Sequence, residues 1–431
     1  MSRRRHSSRG VERASRQPLR ILVLCPHYVP DTAPTGEVMA SMCEQWTARG
    51  HWAEIITSLP WYEHHAVAQG WSGRLARTQQ TSWGRIRRWH PFPSDKGRLV
   101  ARAAGFAGFS ALAGADAVAA AGRCDVVFAM SPPLTLGAAG WAAAWRGRAP
   151  LVFNVQDVFP DAAVSTGVVR SPAVAAAAAR LERAVYRRAA AVTVLSEGMA
   201  RNVRAKLDSG ADPGKVVVIP NAADAGRIGP QDRRNSYRAE LGLKDADCTV
   251  VMYAGNLGHS QPLELVVDAA ERFAARGRTD VQFVVNGDGV ARAAVAAAAE
   301  RLDNLHLAGW QPKERLGEVL AAADLHLVLL RAGLGSSSVP SKVYSVLAAG
   351  RPVLAGVDRG SEVEQLLADS GAGRSVSPDA PDAFCAALGE MVDDRAGLVE
   401  MGRRARACAE QADGPREAAD RYLDLFFSLL A

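Results

Sequence analysis

Short apolar segments alternate with helix-forming stretches in two successive series, and this alternation restricts the fold more than any other feature of the sequence. Continuous apolar runs of this length are typical of parallel strands covered by helices on both faces. In the first series, strands are predicted at residues 20–25, 53–58, 126–130, 151–155, 192–195 and 216–219. In the second, they are predicted at residues 249–254, 281–285, 305–307, 325–329 and 352–355. The pattern predicts an α/β protein with two doubly wound, Rossmann-like domains.

The length of the chain agrees with two domains. A chain of 431 residues exceeds one ordinary core, and a hydrophobic content of 48% fills two. A polar stretch at residues 229–235 separates the two series of strands. We therefore predict a first domain at residues 19–222 and a second at residues 223–414.

The first residues of the chain are strongly basic. Seven arginines and one acidic residue, Glu12, lie among the first 20 residues, and the whole chain has a formal net charge of +6. Such a segment buries too little apolar surface to order itself, so residues 1–18 are predicted to be a disordered basic arm. The arm lacks the apolar core of a secretory signal, and no later run looks like a membrane span. We therefore expect a soluble, cytoplasmic protein.

The six cysteines are scattered, and none forms a CxxC pair. They lie mostly in apolar segments, which is typical of buried free thiols and supports neither a disulfide framework nor a zinc site. No cluster of histidines or carboxylates indicates another metal. The prediction is therefore that the protein has no metal site and no cofactor.

Ligands of doubly wound domains bind beyond the carboxyl ends of strands, and several loops there carry glycine. The loop at residues 26–36 ends at Gly36, and later strands are followed by Gly255, Gly258 and Gly287. A single glycine after a strand is usually only a turn residue. Together, these loops are expected to meet in a cleft between the two domains. None of them fits GxGxxG or GxxxxGK[ST], which argues against dinucleotide oxidoreduction and P-loop hydrolysis.

The segment at residues 333–350, GLGSSSVPSKVYSVLAAG, has the composition of a phosphate-binding loop. Backbone N–H groups at Ser336, Ser337 and Ser338 precede Pro340, which suits the first position of a helix. Lys342 adds a positive charge in the first turn, where the helix dipole also favours anions. A diphosphate is therefore the predicted ligand. The alternative is a serine-rich helix cap with a solvated lysine.

Ten short motifs follow one another in an order that resembles family 4 glycosyltransferases. They are RILVLCPHYVPDTAPTG, ARGH, SPPLT, NVQDVFPD, VTVLSEGM, VIPNAAD, YAGNLG, NGDG, LAGWQPKERL and PSKVYSVLAAGRPVLA. The resemblance runs over residues 20–373. The QD-FPD and VPSKVY-LAAGRPVL motifs are most similar to those of a bacterial subgroup that transfers amino-deoxysugars such as N-acetylfucosamine.

The resemblance implies a GT-B fold with an acceptor-binding first domain and a second domain that binds the nucleotide-sugar. It implies that residues 415–431 cross back onto the first domain, and that transfer retains the anomeric configuration without a metal. A metal-free transferase must stabilise the leaving diphosphate with backbone N–H groups, helix N-termini and cations. Candidates are Gly36, the three serine amides, Lys342 and Arg331. Arg331 has the alternative of ending a strand and facing water.

The nucleobase is read in this family by a segment that matches residues 309–311. The resemblance therefore makes Trp310 and Gln311 donor-binding residues, although Trp310 has the alternative of being a core aromatic. It likewise gives Gly255, Asn256, Gly258 and Gly287 a place at the donor.

The sequence departs from the family at several functional positions. Two glutamates, eight positions apart in most members, are replaced by Ser337 and Ser345, so Ser345 offers only a weaker contact to ribose. An arginine and a lysine that commonly follow the YAG strand are replaced by Asn256 and Gln261. Where many relatives have His-Asp, this chain has Gln156-Asp157. Asp157 is the candidate for guiding the acceptor proton or steadying positive charge on the sugar, with capping of the next turn as the alternative.

Arginines and aromatic residues mix at residues 83–109, WGRIRRWHPFPSDKGRLVARAAGFAGF. A basic segment with aromatic side chains can rest on an anionic leaflet and meet a lipid-linked acceptor. The alternative is a strand followed by a helix with a solvated basic face. Binding to nucleic acid is not expected, since no recognised motif for it is present.

These observations predict a retaining, metal-independent glycosyltransferase. It would move an N-acetylated deoxyhexosamine from a UDP-sugar to a glycan or lipid-linked acceptor in surface polysaccharide biosynthesis, at the inner face of the membrane. One alternative is a non-hydrolysing UDP-sugar epimerase, which shares the GT-B fold. Another is a non-catalytic nucleotide-sugar-binding protein, which the two missing glutamates favour.

Overall fold

The computed structural model describes residues 17–63, 66–93, 99–208, 210, 212–222, 225–243 and 247–431. The side chains of residues 99, 100 and 102 are not described. The basic arm predicted for residues 1–18 therefore lies, apart from its last two residues, outside the described residues.

The first sheet has eight strands in the order β3-β4-β2-β1-β5-β6-β7-β8. They are β1 Arg20–Leu24, β2 Trp52–Ser58, β3 Ala76–Thr81, β4 Gly84–Trp89, β5 Val126–Ser131, β6 Leu151–Val155, β7 Ala191–Val194 and β8 Val216–Val218. Strand β1 pairs in parallel with both β2 and β5, whereas β3 is antiparallel to β4. The helices of this part are α1 Pro34–Ala48, α2 Leu99–Ala120, α3 Thr135–Gly147, α4 Asp161–Ser165, α5 Pro172–Arg188 and α6 Glu197–Ala205.

The second sheet has six strands in the order β11-β10-β9-β12-β13-β14, and every pair is parallel. They are β9 Thr249–Ala254, β10 Val281–Asn286, β11 Leu305–Ala308, β12 Leu325–Leu329, β13 Val353–Gly356 and β14 Gly373–Val376. Its helices are α7 Ser236–Glu240, α8 Glu264–Ala275, α9 Arg292–Ala299, α10 Leu316–Ala321, α11 Lys342–Ala348, α12 Glu362–Ser370, α13 Pro381–Asp393 and α14 Arg395–Gln411, followed by the last helix, α15 Pro415–Leu430. The strand order reverses between β9 and β12, which is the point where doubly wound sheets bind ligands.

The central strands are buried on both faces, as their continuous apolar sequences predict. Every residue of β5, β6 and β12 is buried. In the second sheet, Phe283 and Phe273 pack edge to face with ring centroids 5.7 Å apart inside a large apolar core. The predicted α/β fold with two Rossmann-like sheets is therefore confirmed.

Packing contacts divide the chain into two compact units. The first comprises the described residues up to Asn154, with Ala184–Val192 and Ala419–Ala431, and the second comprises Val155–Arg183 and Thr193–Ala418. Within the first unit, α15 from Ala419 onward packs on α1, where Trp46 Nε1 donates to the Ala419 carbonyl at 3.3 Å. The predicted domain boundaries after residues 222 and 414 stay predictions, as does the cleft.

Three strands, β3, β4 and β14, are not predicted by the apolar pattern. Strand β4 has the sequence GRIRRW, and two of its three arginines pair with buried acids. Arg85 pairs with Glu54, and Arg87 pairs with Asp116 at 2.5 Å. Strand β14 is a short, partly exposed strand at the edge of its sheet. Strand β3, with the sequence ARTQQT, is polar and mostly exposed. None of the three strands is therefore a continuous apolar run.

One helix corrects an expectation about membrane spans. The segment Ala103–Arg123, mostly within α2, has 21 residues and a mean hydropathy of 1.4, so it is long and apolar enough to cross a membrane by length and composition. The expectation that no such run exists is therefore wrong. Its many alanines and glycines conceal the run, since they separate the few large apolar side chains.

Candidate active site

Three loops of the second unit meet at the carboxyl ends of β9, β10 and β12. The Gly255 N–H donates to the Asn286 carbonyl at 2.9 Å, and the Leu257 N–H donates to the Asp288 carbonyl at 2.9 Å. The loop after β12 joins them where the Arg331 N–H donates to the Ser260 carbonyl at 2.8 Å. The loops thus form one backbone-lined surface at the switch point of the second sheet.

Glycine is required at two positions because the loops approach so closely. Gly255 and Gly287 have φ angles of +138° and +148°, which L side chains rarely adopt. A Cβ at Gly287 would lie 1.9 Å from the Gly255 carbonyl oxygen, and a Cβ at Gly255 would lie 2.8 Å from Lys342 Nζ. The absence of both Cβ atoms brings the backbone up to the lysine ammonium.

Lys342 carries a buried ammonium that the protein itself leaves without a hydrogen-bond partner. Its Nζ is buried, has no hydrogen-bond partner among the described residues, and lies 3.7 Å from the centroid of the Tyr253 ring. Desolvation lowers the pKa of Lys342 to about 7. The alternative of a solvated lysine is therefore wrong. A buried cation without a counter-ion is costly, and an anion bound here would supply the missing partner.

The helix that carries Lys342 starts later than the sequence predicts. Helix α11 begins at Lys342 after an N-cap at Ser341, and not at Pro340. Ser345 follows three residues after Lys342, so the two side chains lie on the same side of the helix. Ser345 is partly buried.

The serine loop before this helix, residues 333–338, is held by its own contacts. The Asp358 carboxylate accepts the N–H groups of Gly333 and Gly335 at 3.1 and 2.9 Å. The N–H groups of Ser337 and Ser338 both donate to the Leu334 carbonyl at 2.9 Å. This corrects the expectation that all three serine amides face a ligand, because the tight turn at Leu334 already uses two of them. Ser336 is exposed.

Asp157 is fixed against this serine loop. The Ser338 hydroxyl donates to Asp157 Oδ1 at 2.6 Å, and the Val158 N–H donates to the Ser337 carbonyl at 2.7 Å. Burial raises the pKa of Asp157, and the bond from Ser338 opposes that rise. The alternative that Asp157 caps the next turn is wrong, since among the described residues its carboxylate accepts only from the Ser338 hydroxyl and from no backbone N–H of that turn. The structure thus brings Asp157 together with the loop that leads to Lys342.

Arg331 is engaged at the surface. Its Nε donates to the His259 carbonyl at 3.1 Å, and its guanidinium pairs with Glu264 at 2.9 Å. The side chain is 40% exposed, in agreement with the alternative that it ends a strand and faces water. A catalytic role for Arg331 stays a prediction.

The remaining predicted donor-binding residues occupy two loops of the second unit. Asn256 is exposed, and the Gly258 N–H donates to the side chain of Gln261 at 3.2 Å. Trp310 is 45% exposed, so the alternative of a core aromatic is wrong. Gln311 accepts a bond from Arg315 at 3.2 Å. These residues lie at strand ends, as predicted, and their donor contacts stay predictions.

Gly36 belongs to the first unit, near the start of α1. A Cβ at Gly36 would lie 3.1 Å from the backbone of His27 and Tyr28, so glycine allows the helix to lie against the loop after β1. Its N–H donates to the Ala33 carbonyl at 2.9 Å. The predicted contact of Gly36 with the donor stays a prediction.

The loop after β1 holds an Asp–His pair that the sequence patterns do not predict. His27 Nδ1 lies 2.6 Å from Asp31 Oδ2, and the Trp61 ring stacks on the imidazole with centroids 5.5 Å apart. Asp31 Oδ1 also accepts the Tyr62 N–H at 3.0 Å. The bond to Asp31 and the stacking on Trp61 fix the orientation of the imidazole ring. A histidine four residues before an aspartate at a strand end is the signal that could have found the pair.

The described residues bring no group of three or more histidine, cysteine, aspartate or glutamate side chains close enough to hold a metal ion. The same part of the chain holds six free cysteines, four of them buried.

Comparison with known proteins gives a consistent assignment. Residues 35–222 match the family model of the glycosyl transferase 4-like domain, and residues 248–394 match that of the glycosyl transferases group 1. WcaI of Escherichia coli (strain K12), named as a colanic acid biosynthesis glycosyl transferase, is 26% identical over 420 residues, or 94% of this chain and 97% of WcaI.

Solved structures show the same fold. Sucrose-phosphate synthase from Thermosynechococcus elongatus has a TM-score of 0.73 at 16% identity, over 95% of this chain and 99% of that one. Anabaena Alr3699/HepE, solved in complex with UDP-glucose, has a TM-score of 0.69 at 15% identity, over 95% of this chain and all of that one. The two matched domains together span most of the chain. The protein is therefore a glycosyltransferase of the GT-B fold.

Proposed function

We propose that this glycosyltransferase moves a sugar from a UDP-linked donor to a glycan or lipid-linked acceptor in surface polysaccharide biosynthesis, with retention of configuration and without a metal. The buried, unpartnered ammonium of Lys342 is the observation that carries the proposal. WcaI is named for colanic acid biosynthesis, and HepE binds UDP-glucose, which supports this donor and this class of product. The subgroup resemblance supports an N-acetylated deoxyhexosamine as the sugar.

The chemistry of transfer matches the charge of the site. As the bond between the anomeric carbon and the diphosphate breaks, negative charge grows on the leaving phosphate oxygens. Lys342 neutralises that charge, and its fixed position above the Tyr253 ring means that little reorganisation is needed during the reaction. Gly255 and Gly287 let the phosphates reach the ammonium because no Cβ intervenes.

Asp157 acts on the acceptor or on the sugar ring, and not on the leaving diphosphate. A carboxylate held by Ser338 either guides the proton of the acceptor hydroxyl or steadies positive charge on the sugar ring. The raised pKa of Asp157 brings it closer to that of a working base. The His27–Asp31 pair, in the first unit, is our candidate for binding an acceptor hydroxyl.

The proposed donor-binding residues lie in and next to loops of the second unit. Trp310 and Gln311 contact the nucleobase, and Ser345 makes the weaker ribose contact in place of a glutamate. Arg331 adds a second cation. The other donor contacts come from Gly255, Asn256, Gly258, Gly287 and Ser336.

The test begins with the nucleotide. Isothermal titration of the protein with UDP, GDP and dTDP should show tightest binding to UDP, and preference for another nucleotide would overturn the UDP assignment. Incubation with UDP-sugars, with and without a cell-envelope glycolipid extract, then distinguishes the enzyme classes. Transfer that needs the extract supports the proposal. Isomerisation without an acceptor identifies an epimerase, and binding without turnover identifies a non-catalytic protein.

A further inference from the structure

Helix α2 presents an apolar face that the fold leaves uncovered. Only 39% of its most apolar window is buried, and Ala107, Ala111 and Ala115 are exposed one turn apart. The opposite face is fixed on the sheet, where Asp116 pairs with Arg87 at 2.5 Å. Because this buried ion pair holds the helix in the domain, α2 is a surface helix and not a membrane span.

The neighbouring helix α3 extends this face with two tryptophans. Ala139 and Ala142 of α3 form an open apolar groove with the exposed alanines of α2. Trp141 and Trp145 lie four residues apart, so they share one side of α3, and they are 38% and 76% exposed. Tryptophan favours the boundary between lipid and water because its ring is apolar and its N–H is polar.

Four arginines surround these tryptophans. A Cβ at Gly147 would lie 2.6 Å from the Ala121 carbonyl oxygen, so the ends of the two helices meet. The Arg188 guanidinium lies over the Trp141 ring at 4.5 Å. The four arginines are exposed, and none of them forms an ion pair with another described residue: Arg123, Arg146, Arg148 and Arg188.

This charge pattern differs from that of the second unit. There, Arg272, Arg278 and Arg315 each pair with two carboxylates. Unpaired cations of one sign beside exposed tryptophans are complementary to an anionic apolar surface. A second copy of the chain would set the same cations against each other in a twofold interface.

We propose that the α2–α3 face, defined by the exposed alanines of α2, by Trp141 and Trp145, and by the four arginines, docks on an anionic lipid membrane. The tryptophan rings enter the headgroup region, the alanines lie against it, and the arginines contact lipid phosphates. The proposal rests on the proposed function in one respect only: a lipid-linked acceptor would reach the enzyme at the membrane surface.

The docking surface differs from the one that the sequence predicts at residues 83–109. Trp89 donates to buried Asp116 at 2.8 Å, and Phe109 is 2% exposed. Arg85 and Arg87 pair with Glu54 and Asp116. These residues face the interior of the first unit, and residues 94–98 lie outside the described part of the chain. The tryptophans and arginines of the proposed face lie instead on α3 and near its ends.

Vesicle flotation tests the proposal. The full chain is mixed with vesicles of phosphatidylcholine, with or without phosphatidylglycerol, at low and high salt. We expect strong binding only to the anionic vesicles, weakened by salt. Trp141→Ala with Trp145→Ala should lower the partition coefficient about tenfold or more. Arg146→Glu with Arg148→Glu should lower it by at least about fivefold per residue at low salt.

Matched controls separate this proposal from the proposed function. Trp52→Ala, at a tryptophan that is 43% exposed, and Arg403→Glu with Arg404→Glu on α14 should leave vesicle binding unchanged. Circular dichroism confirms folding, and UDP affinity should be the same in every variant. Equal binding to both vesicle types, no binding by the wild type, or undiminished binding by the tryptophan and arginine variants would each overturn the docking surface. Loss of UDP binding with intact vesicle binding would instead count against the proposed function.

Discussion

Lys342 places a positive charge where the protein offers no counter-ion. Its ammonium is buried between the Tyr253 ring and the backbone at Gly255. The sequence predicts a lysine next to a phosphate loop, and the structure adds that this lysine is desolvated. Desolvation makes the charge more effective towards a ligand, because water no longer screens it.

The lowered pKa of Lys342 predicts a pH dependence of UDP binding. The diphosphate binds the ammonium form, so binding raises a pKa that stands at about 7 in the free protein. Below pH 7 the ammonium is already present, and the lysine adds no pH dependence. Above pH 7 the free protein must take up a proton, so the Kd should rise by up to about tenfold per pH unit. Titration calorimetry in buffers of different ionisation enthalpy measures both the Kd and the proton uptake.

Lys342→Ala is the control for this dependence. The variant should lose about 1 to 3 kcal/mol of UDP affinity near pH 7 and show no slope above it. Lys215→Ala, in a different part of the second unit, should keep both the UDP affinity and its pH dependence above pH 7. An unchanged Kd in Lys342→Ala would remove this residue from the diphosphate site.

Asp157→Asn separates catalysis from donor binding. The amide keeps the bond from Ser338 but cannot accept a proton or stabilise a cation. Turnover should fall by about 100-fold or more, with UDP affinity nearly intact. Steady-state kinetics and calorimetry measure the two effects, and Asp379→Asn is an exposed control. Loss of UDP binding in Asp157→Asn would show that the carboxylate serves the donor site and not the reaction.

At the scale of elements, Asp358 sets the shape of the loop between β12 and α11. It accepts two backbone N–H groups from the loop, those of Gly333 and Gly335. Asp358→Ala should lower UDP affinity several-fold and the free energy of unfolding by about 1 to 3 kcal/mol, since both donors lose their acceptor. Urea unfolding and calorimetry measure these changes, with Asp369→Ala on α12 as the control. Normal UDP affinity in Asp358→Ala would mean that the loop does not position the donor.

The strands show which elements a sequence can predict. Strands β6, β9 and β12 have the predicted bounds because a run of apolar residues between polar turns is a local signal. Strand β4 gives no such signal, since Arg85 and Arg87 are balanced by Glu54 and Asp116 from other elements. The start of α11 shifts by two residues, which is the usual uncertainty of a helix end.

At the scale of the whole molecule, the last helix completes the core of the first unit. Phe426 is fully buried, with its ring centroid 5.3 Å from that of Trp46, and Asn154 donates to the Tyr422 hydroxyl at 2.8 Å. Phe426→Ala should lower the free energy of unfolding by about 3 to 5 kcal/mol because it leaves a cavity. Leu430→Ala, at an exposed position, should change it by less than about 1 kcal/mol. Equal unfolding midpoints in urea for the two variants would show that the helix does not support this core.

The sequence by itself determined the two doubly wound sheets, most of their strands and the glycine and serine loops at the strand ends, because apolar runs and turn residues are local patterns. The order of its motifs also indicated the glycosyltransferase family. Only the tertiary structure decided that Lys342 is buried without a partner, and that the Ser337 and Ser338 amides turn inward. It alone joined Asp157 to Ser338, which lies 181 residues away. Such contacts join loops that are far apart in the sequence, and no short-range pattern encodes them.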